Sequence, residues 1–190
     1  METRHKRLLL AIARESIMES LTGRYPKTLA EVESQDPVEL AGEEGAFVTL
    51  KRRKVPNGAP GSLRGCIGNI QGKKPLYRLV HRLAKESAFS DPRFPKVTLG
   101  ELQGLKIEIS VLTVPRLVEG PHMIVVGRDG VLLTCGWHRS VFLPQVATEQ
   151  GWDRETMLNH LAMKAGLDPD AWRGSDCRFE VFQAEIFEEE

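Results

Sequence analysis

The segment Leu63-Arg64-Gly65-Cys66-Ile67-Gly68 is the stretch on which the fold prediction depends. A strand-like segment at residues 46–51 precedes it, and a run rich in proline and glycine at residues 55–61 separates the two. Such a run favours a turn, and two extended segments joined by a turn most simply form a β-hairpin. We therefore predict a hairpin with a broad tip, whose second strand spans residues 63–70.

The remaining chain mixes helical and extended patterns. Apolar residues at helical spacing predict helices at residues 3–21, 76–87 and 154–165, the last capped by Asp153. Between the first helix and the hairpin, Pro26, Pro37 and Gly42 indicate a turn-rich stretch.

Further strands are predicted on both sides of short turns. The segment Gly127-Arg128-Asp129-Gly130 resembles a hairpin turn, and another turn is expected at residues 136–139. Strands joined by tight turns pair antiparallel, so we predict an α+β fold with a mainly antiparallel sheet and flanking helices. The predicted strands are 105–111, 123–126, 131–135, 140–143 and 179–187.

Size and composition are those of an ordinary globular protein. The 190 residues fit one domain at residues 1–190, and 26 basic residues balance 26 acidic ones. Zero net charge argues against a protein dedicated to binding nucleic acid or another polyanion. The apolar run at residues 8–12 is too short for a signal peptide, and no run is long enough for a membrane span.

Three cysteines, Cys66, Cys135 and Cys177, stand far apart in the sequence. An odd number at wide spacing is typical of reduced thiols rather than of a disulfide framework. We therefore expect a cytoplasmic protein, with Cys135 and Cys177 packed in the interior. No CxxC, HExxH or histidine pair at ligand spacing occurs, so no metal site is predicted.

Cys66 has the most unusual setting of the three. In an extended strand Arg64 and Cys66 project to one face, where the guanidinium would lower the pKa of the thiol. Gly65 and Gly68 would leave backbone N–H groups open to a ligand. The alternative is structural, because a free cysteine is most often a small buried side chain and strand glycines often mark tight packing.

A thiol nucleophile also needs a base. Among the histidines, His138 at a predicted turn tip is the best candidate, although a histidine in that position is usually just solvated. The basic run Lys51-Arg52-Arg53-Lys54 would suit phosphate contacts, but a solvated hairpin tip is the simpler interpretation, and no aromatic residue interleaves with it.

An ordered set of short segments resembles the AMMECR domain family over nearly the whole chain. The hexapeptide around Cys66 lies between Gly45-Ala46-Phe47-Val48-Thr49-Leu50 and Asp91-Pro92-Arg93-Phe94. The set continues with Ile109-Ser110-Val111-Leu112, Leu143-Pro144-Gln145-Val146-Ala147, Gly151-Trp152 and Lys164-Ala165-Gly166-Leu167.

The resemblance implies a larger lobe built from both chain ends and a smaller lobe that shares its core. It also implies similarity to protein A of the AmmeMemoRadiSam system, whose partners would be a Memo-like protein and a radical SAM protein. It makes the segment around Cys66 the expected functional centre, with Asp91 and Arg93 beside it as ligand-binding residues. It establishes no reaction, substrate or cofactor.

Three functions remain open at this point. The first is an enzyme or enzyme subunit in which Cys66 and Arg64 are catalytic and Gly65, Gly68, Asp91 and Arg93 bind the ligand. The second is a non-catalytic adaptor for the Memo-like and radical SAM partners. The third, nucleic-acid binding through residues 51–54, is the weakest.

Overall fold

The computed structural model describes residues 1–35, 38–53 and 62–190. It divides into a larger unit, Met1–Leu112 with Glu185–Glu190, and a smaller unit, Thr113–Ala184. The larger unit contains both chain ends, as the family resemblance implies. That the chain is a single domain whose lobes share one core stays a prediction.

The larger unit combines four helices and four strands within its described residues. Its sheet has the order β2-β1-β3-β8, and β1 pairs antiparallel with both β2 and β3. The elements are α1 (Thr3–Thr22), α2 (Lys27–Ser34), β1 (Glu44–Arg52), β2 (Leu63–Gln71), α3 (Leu76–Phe89), α4 (Leu99–Leu102), β3 (Leu105–Leu112) and, numbered last in chain order, β8 (Ala184–Glu188).

Apolar stripes on α1 and α3 form the core of this unit together with one face of the sheet. Leu9, Ile12 and Ile17 of α1 are fully buried, and α1 ends at Gly23, whose φ of 74° suits a glycine at that position. The predicted helices, the antiparallel hairpin and the strand β3 are confirmed. The tip predicted at residues 55–61 lies outside the described residues, as do Lys54 and Pro37.

One helix was not predicted. The stretch predicted to be rich in turns contains α2, which buries Leu29 and Val32, and a 3₁₀ turn at Val38–Leu40. The helix is too short for its apolar periodicity to stand out, because only two of its residues face the core.

The smaller unit has an antiparallel sheet of order β4-β7-β5-β6 with its own apolar cluster. Helix α6 begins at the predicted cap, where the Asp153 side chain accepts a hydrogen bond from the backbone N–H of Thr156. The elements are β4 (Arg116–Val118), β5 (Gly130–Cys135), β6 (His138–Phe142), α5 (Pro144–Glu149), α6 (Arg154–Lys164) and β7 (Cys177–Phe182).

Two strand predictions in this part of the chain are wrong. Residues 123–126 form no strand, because the Asp129 carboxylate accepts a hydrogen bond from the N–H of Val125 and closes a turn instead of a hairpin. The predicted final strand at 179–187 is two strands in different sheets, β7 and β8, interrupted at Gln183. There the N–H of Thr113 donates to the carbonyl oxygen of Gln183, and the N–H of Gln183 donates to Thr113 Oγ1.

The prediction of reduced, unpaired thiols at Cys135 and Cys177 is also wrong. The two residues are register partners on β5 and β7, with Cα atoms 4.1 Å apart, and they form a disulfide. Cys66 is the free cysteine. In the part of the chain that the structure describes, no helix is long and apolar enough to cross a membrane.

The hairpin strand β2 packs very closely on α3 at Gly65. A Cβ atom built on Gly65 would lie 2.2 Å from the backbone carbonyl oxygen of Ser87, a group that α3 holds in place. The position therefore requires glycine for packing, irrespective of any ligand.

We predict that Gly65→Ala lowers the free energy of unfolding by about 3 kcal/mol, because the added methyl group forces β2 and α3 apart. Urea denaturation followed by circular dichroism measures this change. Gly100→Ala is the matched control: a Cβ at Gly100 meets nothing within 4 Å, so its stability should be unchanged or slightly raised. Equal losses in both variants would contradict the packing argument.

Candidate functional site

The outer edge of β2 at Cys66 is covered by two side chains instead of a neighbouring strand. The N–H of Cys66 donates to Asp91 Oδ2 at 2.9 Å, and Arg93 Nη2 donates to the carbonyl oxygen of Cys66 at 3.2 Å. An exposed strand edge normally presents such groups unpaired. Asp91 and Arg93, which follow α3 directly, therefore complete the hydrogen bonding of the Cys66 backbone.

The Asp91 carboxylate is the centre of this arrangement and is buried. Its two oxygens accept hydrogen bonds from Arg93 Nε (2.9 Å), Arg93 Nη2 (2.7 Å), the Arg93 N–H (3.1 Å) and the Cys66 N–H. The bonds from the Arg93 guanidinium, and then those from the two backbone groups, hold the pKa of Asp91 well below its usual range although burial opposes this.

The Cys66 thiol is half-buried and accepts a hydrogen bond from Thr49 Oγ1, 3.2 Å away on β1. Burial raises the pKa of Cys66, and the negative charges of Asp91 and Glu108 add to this. The Thr49 hydrogen bond and the positive charge of Arg93 act in the opposite direction but do not outweigh burial. The surroundings of Cys66 therefore favour the protonated thiol.

Arg64 lies at an irregularity in the pairing of β2 with β1. The register of β2 against β1 shifts between Leu50 and Lys51, so that Leu50 opposes Gly65 while Lys51 opposes Leu63. Such a bulge inserts one residue, here Arg64, and redirects its side chain. Simple alternation along the strand therefore does not apply at Arg64.

The buried Arg64 guanidinium instead forms a two-pronged ion pair with Glu101 of α4. Nε lies 2.6 Å from Oε1 and Nη2 lies 3.0 Å from Oε2, while Nη2 also donates to the carbonyl oxygen of Pro95. This pair lowers the pKa of Glu101. The cation whose charge favours the Cys66 thiolate is Arg93. The tuning role expected for Arg64 stays a prediction.

Gly68 and Gly65 are both explained by packing. A Cβ on Gly68 would lie 2.2 Å from the ring of Phe47, its register partner on β1. Beside them, Ser87 Oγ of α3 accepts a hydrogen bond from the N–H of Ile67 and donates one to the carbonyl oxygen of Val48. Ligand binding through the two glycines stays a prediction.

Sequence reasoning missed Thr49, Ser87 and Glu101. Glu101 had a usable signal, because Thr98 and Glu101 have the spacing of a helix-capping pair and Thr98 does cap α4. Thr49 and Ser87 had none, since their contacts depend on which residues the hairpin register and α3 bring opposite them.

The other predicted residues lie in separate surroundings. His138 belongs to the smaller unit, where its Nδ1 lies 2.9 Å from the carbonyl oxygen of Ala165, and its role as a base for Cys66 stays a prediction. In the basic run, Lys51 pairs with Glu108 at 2.6 Å. Arg52 lies 3.8 Å from the carboxylate of Glu101, and Arg53 lies 3.6 Å from that of Glu189. Each described residue of that run thus has a carboxylate partner.

We predict that Asp91→Asn lowers the free energy of unfolding at pH 7 by about 2 to 3 kcal/mol, because buried donors lose a charged acceptor. The folded pKa of Asp91 is depressed, so its contribution is complete above its unfolded pKa of about 3.9 and is lost as the pH falls below that value. The difference between wild type and variant should therefore shrink below about pH 4.

Urea denaturation between pH 2 and pH 7 measures this difference. Asp153→Asn is the control, since asparagine caps a helix about as well as aspartate and should cost little. A difference between wild type and Asp91→Asn that does not change with pH would contradict the role of the charge.

We predict that Thr49→Val raises the pKa of Cys66 further, because the variant lacks the hydroxyl that stabilises the thiolate. Thr49→Ser keeps the hydroxyl and should leave the pKa close to that of the wild type. The pH dependence of iodoacetamide alkylation at Cys66, followed by mass spectrometry, gives each value. The midpoint for the wild type should lie above that of a free cysteine, about 8.5, and a lower one would contradict the dominance of burial.

Comparison with known proteins confirms the resemblance carried by the sequence segments. The AMMECR1 family model matches residues 10–187. Protein PF1979 of Pyrococcus furiosus is 44% identical over 188 residues, which cover 96% of this chain and 87% of that protein. The crystal structure of uncharacterized protein PH0010 from Pyrococcus horikoshii is similar at a TM-score of 0.79 and 44% identity, over 96% of this chain and 90% of that one. The chain therefore belongs to the AMMECR1 family.

Proposed function

We propose that the chain is an enzyme or an enzyme subunit whose substrate binds at the edge of β2, against Cys66 and Arg93. The observation that carries this proposal is that the Arg93 guanidinium is exposed and held in one orientation. Its side chain is 55% exposed, and two of its nitrogens are fixed by Asp91 and the Cys66 carbonyl. Its Nη1 makes no hydrogen bond to any described residue, which leaves a positioned cation beside a half-exposed thiol.

This pair suits a substrate with an anionic group next to a centre that reacts with sulfur. The N–H groups of the free Nη1 can donate to a carboxylate or phosphate oxygen, and Asp91 holds the guanidinium in one orientation. Since burial favours the thiol form, the reaction would begin with transfer of its proton to solvent, after which Thr49 and Arg93 stabilise the sulfur anion. Asp91 and Arg64 would act as positioning residues, the latter through Glu101.

The biological setting of the proposal is the AmmeMemoRadiSam system, with a Memo-like protein and a radical SAM protein as partners. Its support is the similarity of the sequence segments to protein A of that system. In that setting Cys66 would carry or modify a small molecule or a protein group.

The adaptor function is the second candidate, and the raised pKa of Cys66 favours it. A protonated thiol whose backbone is held by Asp91 fits a purely structural residue in a rigid strand edge. Nucleic-acid binding through the basic run has less support, because Lys51, Arg52 and Arg53 are paired with carboxylates.

We predict that Cys66→Ala and Arg93→Ala abolish product formation when the chain is combined with the Memo-like and radical SAM proteins of the same genome, while co-purification of the three proteins persists. Mass spectrometry of the reaction mixture measures the product, and thermal melts confirm folding. Arg78→Ala is the control, because Arg78 has a similarly exposed side chain (54%) that pairs with Glu33 on the helical surface. Full activity of Cys66→Ala would overturn the enzyme function and support the adaptor.

A further inference from the structure

The disulfide of the smaller unit lies beside an open cavity. The cavity has a volume of about 630 Å³, and its wall includes Cys177. Strand β4 pairs only with residues 179–181 of β7, so Cys177 and Arg178 lie beyond the end of β4. The edge of β7 at the disulfide is therefore not covered by β4.

The two cysteines of the disulfide differ in burial, and only Cys177 is part of the cavity wall. Cys135 is 5% exposed and belongs to the apolar cluster of the smaller unit, whereas Cys177 is only partly buried. A thiol that enters the cavity therefore reaches Cys177 first. In a disulfide attacked at one sulfur the other sulfur leaves, and here the leaving sulfur would be that of Cys135.

The charged groups of the cavity wall favour an anion. Arg173 and Arg178 are exposed, and Glu119 is the acidic residue that lines the cavity with them. Arg178 forms no ion pair with any described residue, and Arg173, which pairs with Glu155, also lies over the Trp172 ring at 4.2 Å. Leu117 and Phe179 supply apolar surface to the same wall.

The reduced form also has a place for the new S–H group. Cys177 Sγ lies 3.2 Å from the carbonyl oxygen of Ala171, in hydrogen-bonding geometry for a thiol donor. The Ala171 carbonyl oxygen is therefore an acceptor within reach of a reduced Cys177.

We propose that Cys135–Cys177 is a thiol–disulfide exchange site for low-molecular-weight thiols that carry carboxylates. The thiolate of the incoming molecule attacks Cys177 Sγ, the bond between the two cysteines breaks, and Cys135 leaves as a thiolate that takes up a proton. A second thiol then attacks the mixed disulfide, which releases the oxidised thiol as its disulfide and leaves Cys177 as a thiol. Two incoming thiols are oxidised and one protein disulfide is reduced.

Reduction of the native protein tests the proposal, with glutathione as the anionic thiol and 2-mercaptoethanol as the neutral one. A Cys66→Ser background prevents exchange with the third cysteine and makes the result independent of the function proposed for Cys66. Samples are quenched with N-ethylmaleimide, and mass spectrometry counts the modified cysteines with time.

We predict that glutathione reduces the disulfide of the folded protein and that Arg173→Ala and Arg178→Ala each lower this rate about threefold to tenfold. The rate with 2-mercaptoethanol should be unchanged in both variants. Arg116→Ala is the control, since Arg116 is an exposed arginine of the same unit outside the cavity wall. Cys135→Ser should form a mixed disulfide with glutathione disulfide at Cys177, whereas Cys177→Ser should leave Cys135 unmodified.

Three results would overturn the proposal. The first is a disulfide that glutathione reduces only when the protein unfolds. The second is an equal effect of the arginine variants on the charged and the neutral thiol. The third is attack at Cys135, seen in the wild-type protein as the mixed disulfide on that residue, a measurement that does not depend on the folding of the cysteine variants.

Discussion

The hydrogen bond between the Cys66 N–H and the Asp91 carboxylate links the end of α3 to the edge of β2, and the geometry of the candidate site depends on it. A buried carboxylate persists only when its oxygens are satisfied, and here Arg93 and two backbone groups satisfy them. The same bonds fix the direction of the Arg93 guanidinium and satisfy the backbone of Cys66. A single buried charge therefore positions both the thiol and the cation.

That constraint has a chemical consequence for Cys66. Burial of the thiol raises its pKa, and the charge of Asp91 disfavours a second anion beside it. Thr49 and Arg93 compensate only in part. The arrangement that holds the thiol rigidly is thus also the one that keeps it protonated, so reactivity at this site would depend on what binds to Arg93.

The sequence predicted the main helices and the hairpin because each has a local periodicity. It placed Arg64 and Cys66 on one face because alternation assumes a regular strand, and the register shift at Arg64 interrupts that regularity. The bulge cannot be inferred from the neighbouring residues in the sequence, because Arg64 forms its ion pair with Glu101, 37 residues further on. Asp91 and Arg93 were identified correctly as neighbours of Cys66 through the family resemblance, whereas Thr49 depends on strand register.

The disulfide shows the same limit in the smaller unit. Cys135 and Cys177 are 42 residues apart, and only the register of β5 against β7 makes them partners. Both chemically interesting cysteine sites therefore arise where a strand lacks a neighbour. At Cys66 the missing neighbour is replaced by two charged side chains that fix the backbone, and at Cys177 the edge beyond β4 faces a cavity. An unpaired strand edge is either covered by side chains or accessible to solvent. The edge of β2 at Cys66 is of the first kind, and the edge of β7 at Cys177 is of the second.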